Sequence, residues 1–208
     1  MSKVLFVKAN DRTAEEAVSV KLYEAFLNSY KENHPNDEIV ELDLYRENPP
    51  YLGRNAINGT FKAGKGMELN EDEKAAAAVA DRYLDEVVKA DKVVFAFPLW
   101  NFAVPAVLHT YVDYLSRAGV TFTYTPEGPK GLMGDKKVAL LNARGGFYSE
   151  GPMAAMEMSL NYMKTVMGFF GVQDLHTVVI AGHNAVPDDA QKIIENGLAE
   201  AKKLAASF

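Results

Sequence analysis

Apolar residues along this chain fall into two patterns: short continuous runs, and longer segments in which they recur every three or four positions. KVLFVK at 3–8, VVFAF at 93–97 and KVALLN at 137–142 read as strands, and the β-branched and aromatic run at 93–97 has the character of one buried on both faces. Residues 174–181 read as a last strand. EIVELDL at 38–44 instead alternates apolar and charged side chains, as a strand near a sheet edge does. Helical spacing fills the intervals. Val18, Leu22, Ala25, Phe26 and Tyr30 share one helix face up to the His34-Pro35-Asn36 break. Asn70 with Glu73 predicts a capping box ahead of AAAAVADRYLDEVVKA. Pro105 falls at a first-turn position before a helix carrying Val107, Tyr111, Val112, Tyr114 and Leu115, with Gly119 as its stop. A further helix is expected from about Gly151 to Gly171, its five methionines filling core, and a last one begins at Pro187-Asp188-Asp189.

Two excursions interrupt this alternation. Residues 48–70, rich in Gly, Asn and Pro, exceed an ordinary connection and read either as a mobile surface loop or as a lid or subunit contact. VTFTYT at 120–125, followed by turns at Pro126–Pro129 and Gly131, predicts a protruding hairpin over about 120–133. The remaining order of strands and helices requires an α/β architecture: a doubly wound, five-stranded, mostly parallel sheet covered on both faces. Strand order 2-1-3-4-5 is the simplest solution, and no linker or repeat divides residues 1–208, so one domain is expected. The switch point then lies between the first and third strands, where ligands bind at the C-terminal rim. Loops 9–19, 98–104 and 143–148 should meet there.

Composition narrows the chemistry. With no cysteine, thiol nucleophiles, thiolate metal sites and disulfides are excluded, so redox work requires a cofactor. A net charge of −6 lacks the basic surplus of a nucleic-acid binder. No apolar run approaches the roughly 18 residues of a membrane span, and the first strand starts at Lys3, so a cytoplasmic protein without membrane or nucleic-acid partners is expected. The histidines His34, His109, His176 and His183 show no ligand spacing, and no metal is expected.

The first rim loop has neither a GxGxxG fingerprint nor a P-loop. It offers Asn10, Arg12, Thr13 and Ser19, which with helix N-terminal amides suit a phosphate monoester, although Thr13-Ala14-Glu15-Glu16 also matches a plain capping box. In the second loop Asn101 supplies amide donor and acceptor groups, while Leu99, Trp100 and Phe102 supply faces for a flat heteroaromatic ring. In the third, Gly145 and Gly146 let backbone approach a ligand closely, with Arg144 either near that ligand or in a structural ion pair. His183 is the one histidine expected near the rim, or else solvated.

FPLWNFAVP at 97–105, AGVTFTYT at 118–125, GPKGLMGDKK at 128–137 and NARGGFY at 142–148 together resemble the flavin-dependent azoreductases, FMN-dependent NADH:quinone oxidoreductases of flavodoxin-like fold. The resemblance covers nearly the whole chain. It implies FMN held at its ring by Pro98, Leu99, Trp100, Asn101, Phe102, Gly145 and Gly146, with Ala143, Arg144 and Tyr148 nearby, and at its phosphate by Asn10, Ala17, Val18 and Ser19. This chain departs from the family's serine-rich phosphate loop at Ala9 and Ala17, which shifts the load to backbone amides. The family forms homodimers with active sites at the interface, which would make Phe122 and Tyr124 walls of a substrate pocket. The implied reaction passes hydride from NADH or NADPH through FMN to quinones or aromatic azo compounds. Its order is ping-pong, with reacting atoms about 3–3.5 Å apart. No catalytic residue is assigned; Tyr124, Tyr148 and His183 are candidate proton donors. The alternative is a flavodoxin-like electron carrier or flavin-binding module without turnover.

Overall fold

The computed structural model describes residues 1–208. The chain runs β1 (Lys3–Lys8), α1 (Val18–Asn33), β2 (Glu38–Asp43), α2 (Leu44–Glu47), α3 (Arg54–Gly64), α4 (Glu71–Lys89), β3 (Lys92–Pro98) and α5 (Ala106–Leu115). It continues through β4 (Phe122–Thr125), β5 (Gly128–Gly131), β6 (Lys137–Arg144), α6 (Ser159–Phe169), β7 (Asp174–Ala181) and α7 (Ala190–Ser207). Five strands form a parallel sheet in the order β2-β1-β3-β6-β7, while β4 and β5 pair separately as an antiparallel hairpin. With the hairpin set aside, this is the expected 2-1-3-4-5 order. No helix is long and apolar enough to cross a membrane.

Successive side chains on a strand point to opposite faces, so a strand covered on both sides must be apolar throughout. Val4 and Phe6 of β1, Val94 and Ala96 of β3, and Ala139 and Leu141 of β6 enter one core with Leu22, Phe26 and Tyr30 of α1 and Ala201 and Ala205 of α7. Leu5, Val7, Val93, Phe95, Phe97, Val138 and Leu140 enter the other, against α4, α5 and α6. Each buried Val, Leu or Phe is worth about 1.5–3 kcal/mol, so both cores hold the central strands rigidly beneath the rim loops.

The structure corrects several boundaries. Residues 48–70 are not irregular throughout, because α3 occupies 54–64. Its glycines obscured it, yet Gly59 permits the packing: a Cβ there would run into the Glu73 backbone of α4. Lys62 then reaches Glu73 at 2.7 Å. Glu73 also completes the predicted capping box, with its N–H on Asn70 Oδ1 at 2.9 Å and its Oε2 accepting from Asn70 N–H at 3.1 Å. Thr13 and Glu16 do bond, Glu16 Oε2 accepting from Thr13 N–H at 3.1 Å, but they close an isolated turn, and α1 starts only at Val18. Helix α5 stops at Leu115 rather than Gly119, where Thr121 Oγ1 donates to the Leu115 carbonyl at 2.8 Å. Pro105 precedes this helix as its cap residue. The segment 151–171 is split into a 3-10 turn at Gly151–Met156 and α6, because the Glu157 side chain caps α6 and breaks the run. Met163 and Met167 fill core, whereas Met153 and Met158 are exposed. A 3-10 turn at Pro187–Asp189 precedes α7.

Candidate functional site

At the C-terminal end of β3, Pro98 is level with Ala143 of β6, and Leu99 N–H donates to the Ala143 carbonyl at 3.0 Å, one residue beyond the strand. The chain then reverses. Trp100 and Ala103 exchange both backbone hydrogen bonds at 3.0 Å, with Asn101 at φ 49° and Phe102 at φ 70°. Two left-handed central residues make a type I′ pattern, which asparagine tolerates and phenylalanine does not. Holding Phe102 there costs roughly 1–3 kcal/mol. A tether maintains it: the Phe102 carbonyl accepts from Met158 N–H at 2.9 Å.

The first loop ends at Ala17, whose extended backbone caps α1 without a side-chain hydrogen bond. Val20 and Lys21 N–H groups bond to the Ala17 carbonyl at 3.0 and 3.1 Å, leaving the Val18 and Ser19 amides without protein partners. Free amides at a helix start form an anion site, aided by the positive end of the helix dipole. Ser19 Oγ is buried and accepts from Asn10 Nδ2 at 2.8 Å, so its own proton remains available.

The third loop leaves β6 at Arg144, the one member of the predicted binding set directed elsewhere. Its guanidinium is 4% exposed, 3.5 Å from Glu157, and donates to Ser149 Oγ at 3.0 Å. The geometry present is an ion pair, with Arg144 Nε and Nη1 buried and without hydrogen-bond partners. Burial lowers the Arg144 pKa against the opposing pull of Glu157. Burial alone would raise the Glu157 carboxyl, but hydrogen bonds from Leu160, Ser159 and Asn161, with Arg144 beside it, hold it below the ordinary range. Asn142 Nδ2 joins this network, donating to Ser159 Oγ at 3.3 Å and to the Phe97 carbonyl at 3.2 Å. The pair thus ties the end of β6, the start of α6 and the end of β3 together behind the rim.

Beyond Arg144 the glycines make room for neighbouring side chains of the protein itself. A side chain at Gly145 would occupy the place of Asn184, whose Cγ would be 3.0 Å from its Cβ; one at Gly146 would meet the Tyr148 ring at 2.9 Å. The fourth wall comes from the loop after β7, where Asn184 N–H donates to the Gly145 carbonyl at 2.9 Å.

These loops enclose two adjoining cavities that share Leu99, Gly145 and Asn184. One, of about 310 Å³, is lined by Asn10, Arg12, Glu16, Ala17, Val18 and Ser19, by Pro98, Leu99, Trp100 and Ala143, and by Gly145, His183 and Asn184. The other, of about 510 Å³, is lined by Leu99, Asn101, Phe102, Gly145, Gly146, Tyr148, Asn184 and Ala185. Every residue of the predicted binding set except Arg144 therefore lines one of them. Glu16, Asn184 and Ala185 were not anticipated; the position of Asn184 just past the last strand was the available signal. Phe122 and Tyr124 line neither cavity. Phe122 is buried against Phe169, with ring centroids 4.6 Å apart, and Tyr124 is 73% exposed. His183 lies in the smaller cavity, where burial lowers its pKa.

The arrangement has the parts an FMN requires. Free helix-start amides and a buried hydroxyl suit its phosphate, and a glycine-lined slot beside an apolar turn suits a flat ring.

A family described as having the flavodoxin-like fold matches residues 2–205. The chain is 99% identical to FMN-dependent NADH:quinone oxidoreductase 1 of Bacillus licheniformis and 79% identical to that of Bacillus subtilis, each over all of both chains. Among solved structures, an azoreductase from Bacillus anthracis superposes with a TM-score of 0.98 at 67% identity, covering all of both chains. An FMN-dependent NADH-azoreductase from Bacillus anthracis, solved in complex with FMN, superposes at 0.90 with 28% identity, covering 100% of this chain and 99% of that one.

Proposed function

The chain belongs to the FMN-dependent NADH:quinone oxidoreductases of flavodoxin-like fold, and we propose that the two adjoining rim cavities are where it does its work. FMN held there would supply the hydride transfer from NAD(P)H to quinones or aromatic azo compounds, while the chain's own residues bind and orient it. The observation that carries the placement is the convergence of four rim loops on two adjoining cavities, the smaller with unpaired helix-start amides and the larger with Gly146, joined at Leu99, Gly145 and Asn184.

Within the smaller cavity the Val18 and Ser19 amides and Ser19 Oγ receive the phosphate, with Asn10 holding the hydroxyl in place. Ala17 adds no hydroxyl, so the backbone supplies more of this contact than a serine-rich loop would. Leu99 and Phe102 pack against the ring, with Trp100 reaching it from the smaller cavity, while Asn101 and the Gly145 and Gly146 backbone face its polar edge. Tyr148, near Phe102 with ring centroids 6.2 Å apart, closes that end. Arg144 and Glu157 act from behind, fixing the loop rather than touching the ligand.

A homodimer fits this reading. Tyr124, Phe147 and Met158 are 73%, 56% and 52% exposed, and a second copy would cover them. The hairpin carrying Phe122 and Tyr124 would then wall the partner's pocket. Residues 1–208 act as one FMN-binding domain.

Steady-state kinetics test the order of the reaction. With NADH and a quinone varied together, double-reciprocal plots should be parallel, because the nicotinamide leaves before the acceptor binds in the same slot. Intersecting lines would require both substrates at once and contradict a shared site, and absence of turnover with FMN present would favour an electron carrier.

A further inference from the structure

His183 shares the smaller cavity with Ser19 and the start of α1, yet no step of the reaction described above uses it. Its Nδ1 is buried without a hydrogen-bond partner. A neutral imidazole carries one N–H and one bare nitrogen, and a buried donor without an acceptor is the costlier of the two to leave unpaired. We place the proton on Nε2, which is not among the buried unpaired atoms, so that Nδ1 is left as a bare acceptor. Protonating the ring would place a second N–H on the enclosed Nδ1, consistent with the downward pKa shift that burial produces. Two charged side chains line the same cavity. Arg12 opposes an imidazolium, and the Glu16 carboxylate is engaged by Thr13 through its N–H at 3.1 Å and Oγ1 at 3.4 Å. The walls contributed by the loops after β3 and β6, Pro98 to Trp100 with Ala143 and Gly145, carry no titratable group.

On the α1 side of this cavity Asn10, Arg12 and Ser19 are the side-chain donors, while Ala17 has no hydroxyl and caps the helix with backbone alone; the loop after β7 brings His183 to the same space. We propose that His183 supplies a further donor from the loop after β7, its Nε2–H meeting an oxygen of the FMN phosphate or ribityl arm, and that it binds the cofactor rather than giving a proton to the reaction. This rests on FMN occupying the two cavities. It adds a ligand contact from the loop after β7, outside the three loops that sequence motifs identify.

The test is titration of flavin-free protein with FMN and with riboflavin, read by quenching of flavin fluorescence, for wild type, His183→Ala and His183→Gln. Wild type must bind FMN; if it does not, the underlying site assignment fails, independently of His183. His183→Ala should weaken FMN binding about 10-fold, the scale of one hydrogen bond to a charged oxygen, and the glutamine N–H should recover most of the loss. A loss confined to FMN places the contact at the phosphate, and an equal loss with riboflavin places it on the ribityl chain. The wild-type to alanine ratio should not grow steeply as pH falls from about 8 to about 6, because burial favours the neutral ring and the contact uses its Nε2–H. Wild-type affinity in His183→Ala would overturn the proposal. So would a ratio that widens steeply as pH falls, the mark of a cationic contact.

Discussion

Replacing Glu157 by alanine should destabilise the protein by about 3–5 kcal/mol, the cost of leaving one partner of a buried ion pair without its counter-ion. Arg144 would keep its charge at 4% exposure with only Ser149 Oγ for company. The same change strips the start of α6 of its acceptor, since Glu157 Oε1 takes the Ser159 and Leu160 N–H groups at 3.1 and 2.8 Å and Oε2 takes Asn161 N–H at 3.1 Å. Glu157→Gln retains an acceptor without the charge and should lose less. Urea unfolding at fixed protein concentration measures both, through a midpoint that falls while the slope stays constant. A loss below about 1 kcal/mol for the alanine variant would mean that water replaces the carboxylate, contrary to the burial of this pair. The pair also predicts an acid limit. The folded-state pKa of Glu157 lies below its unfolded value, so its stabilisation is complete above the ordinary carboxylate range and disappears as pH falls through the depressed value.

Gly131→Ala should cost about 3 kcal/mol, at the upper end of the range for overpacking, and lower Tm by roughly 6–12 °C. A Cβ on Gly131 would overlap the backbone of Phe170 and Gly171, with no flexible side chain available to give way. From the other side, a Cβ on Gly171 would be 2.9 Å from the Gly131 carbonyl carbon, and Gly171 is itself at φ +88°. Two glycines thus bring the β4–β5 hairpin against the end of α6, a contact secured by Met133 N–H on the Phe170 carbonyl at 2.8 Å. Because we propose that the hairpin with Phe122 and Tyr124 walls the pocket of a partner subunit, the variant should also lose quinone reduction more than FMN affinity. A Tm within about 2 °C of wild type would show that the hairpin can move off α6 at little cost.

The large-scale architecture was readable because its determinants are local. Strands buried on both faces need unbroken apolar runs, and such runs at 93–97 and 137–142, with turn residues after them, led directly to the sheet and its rim. What could not be read depends on distant partners. Helix α3 has two glycines and two asparagines in eleven residues, and it exists through packing on α4, where Gly59 fits against Glu73 and Lys62 pairs with it. The role of Arg144 is set by Glu157, thirteen positions later, and nothing in the local sequence joins them. The same carboxylate divides what helical spacing presents as one helix from 151 to 171. Within the site, Asn101 was legible as a polar residue in an apolar loop, but the left-handed turn that Phe102 shares with it was not, because phenylalanine is a poor marker for positive φ. Asn184 was missed because it belongs to no motif, although the topology places the loop that carries it on the same rim.

This chain passes electrons from a nicotinamide to a quinone through FMN, and we place that FMN in the two rim cavities. Anaerobic mixing of the FMN-loaded protein with NADH tests it most directly. The visible flavin absorbance should bleach within the time of a turnover and return when a quinone is added without oxygen. Flavin that stays oxidised in excess NADH, or that bleaches and is not recovered by the quinone, would contradict the account.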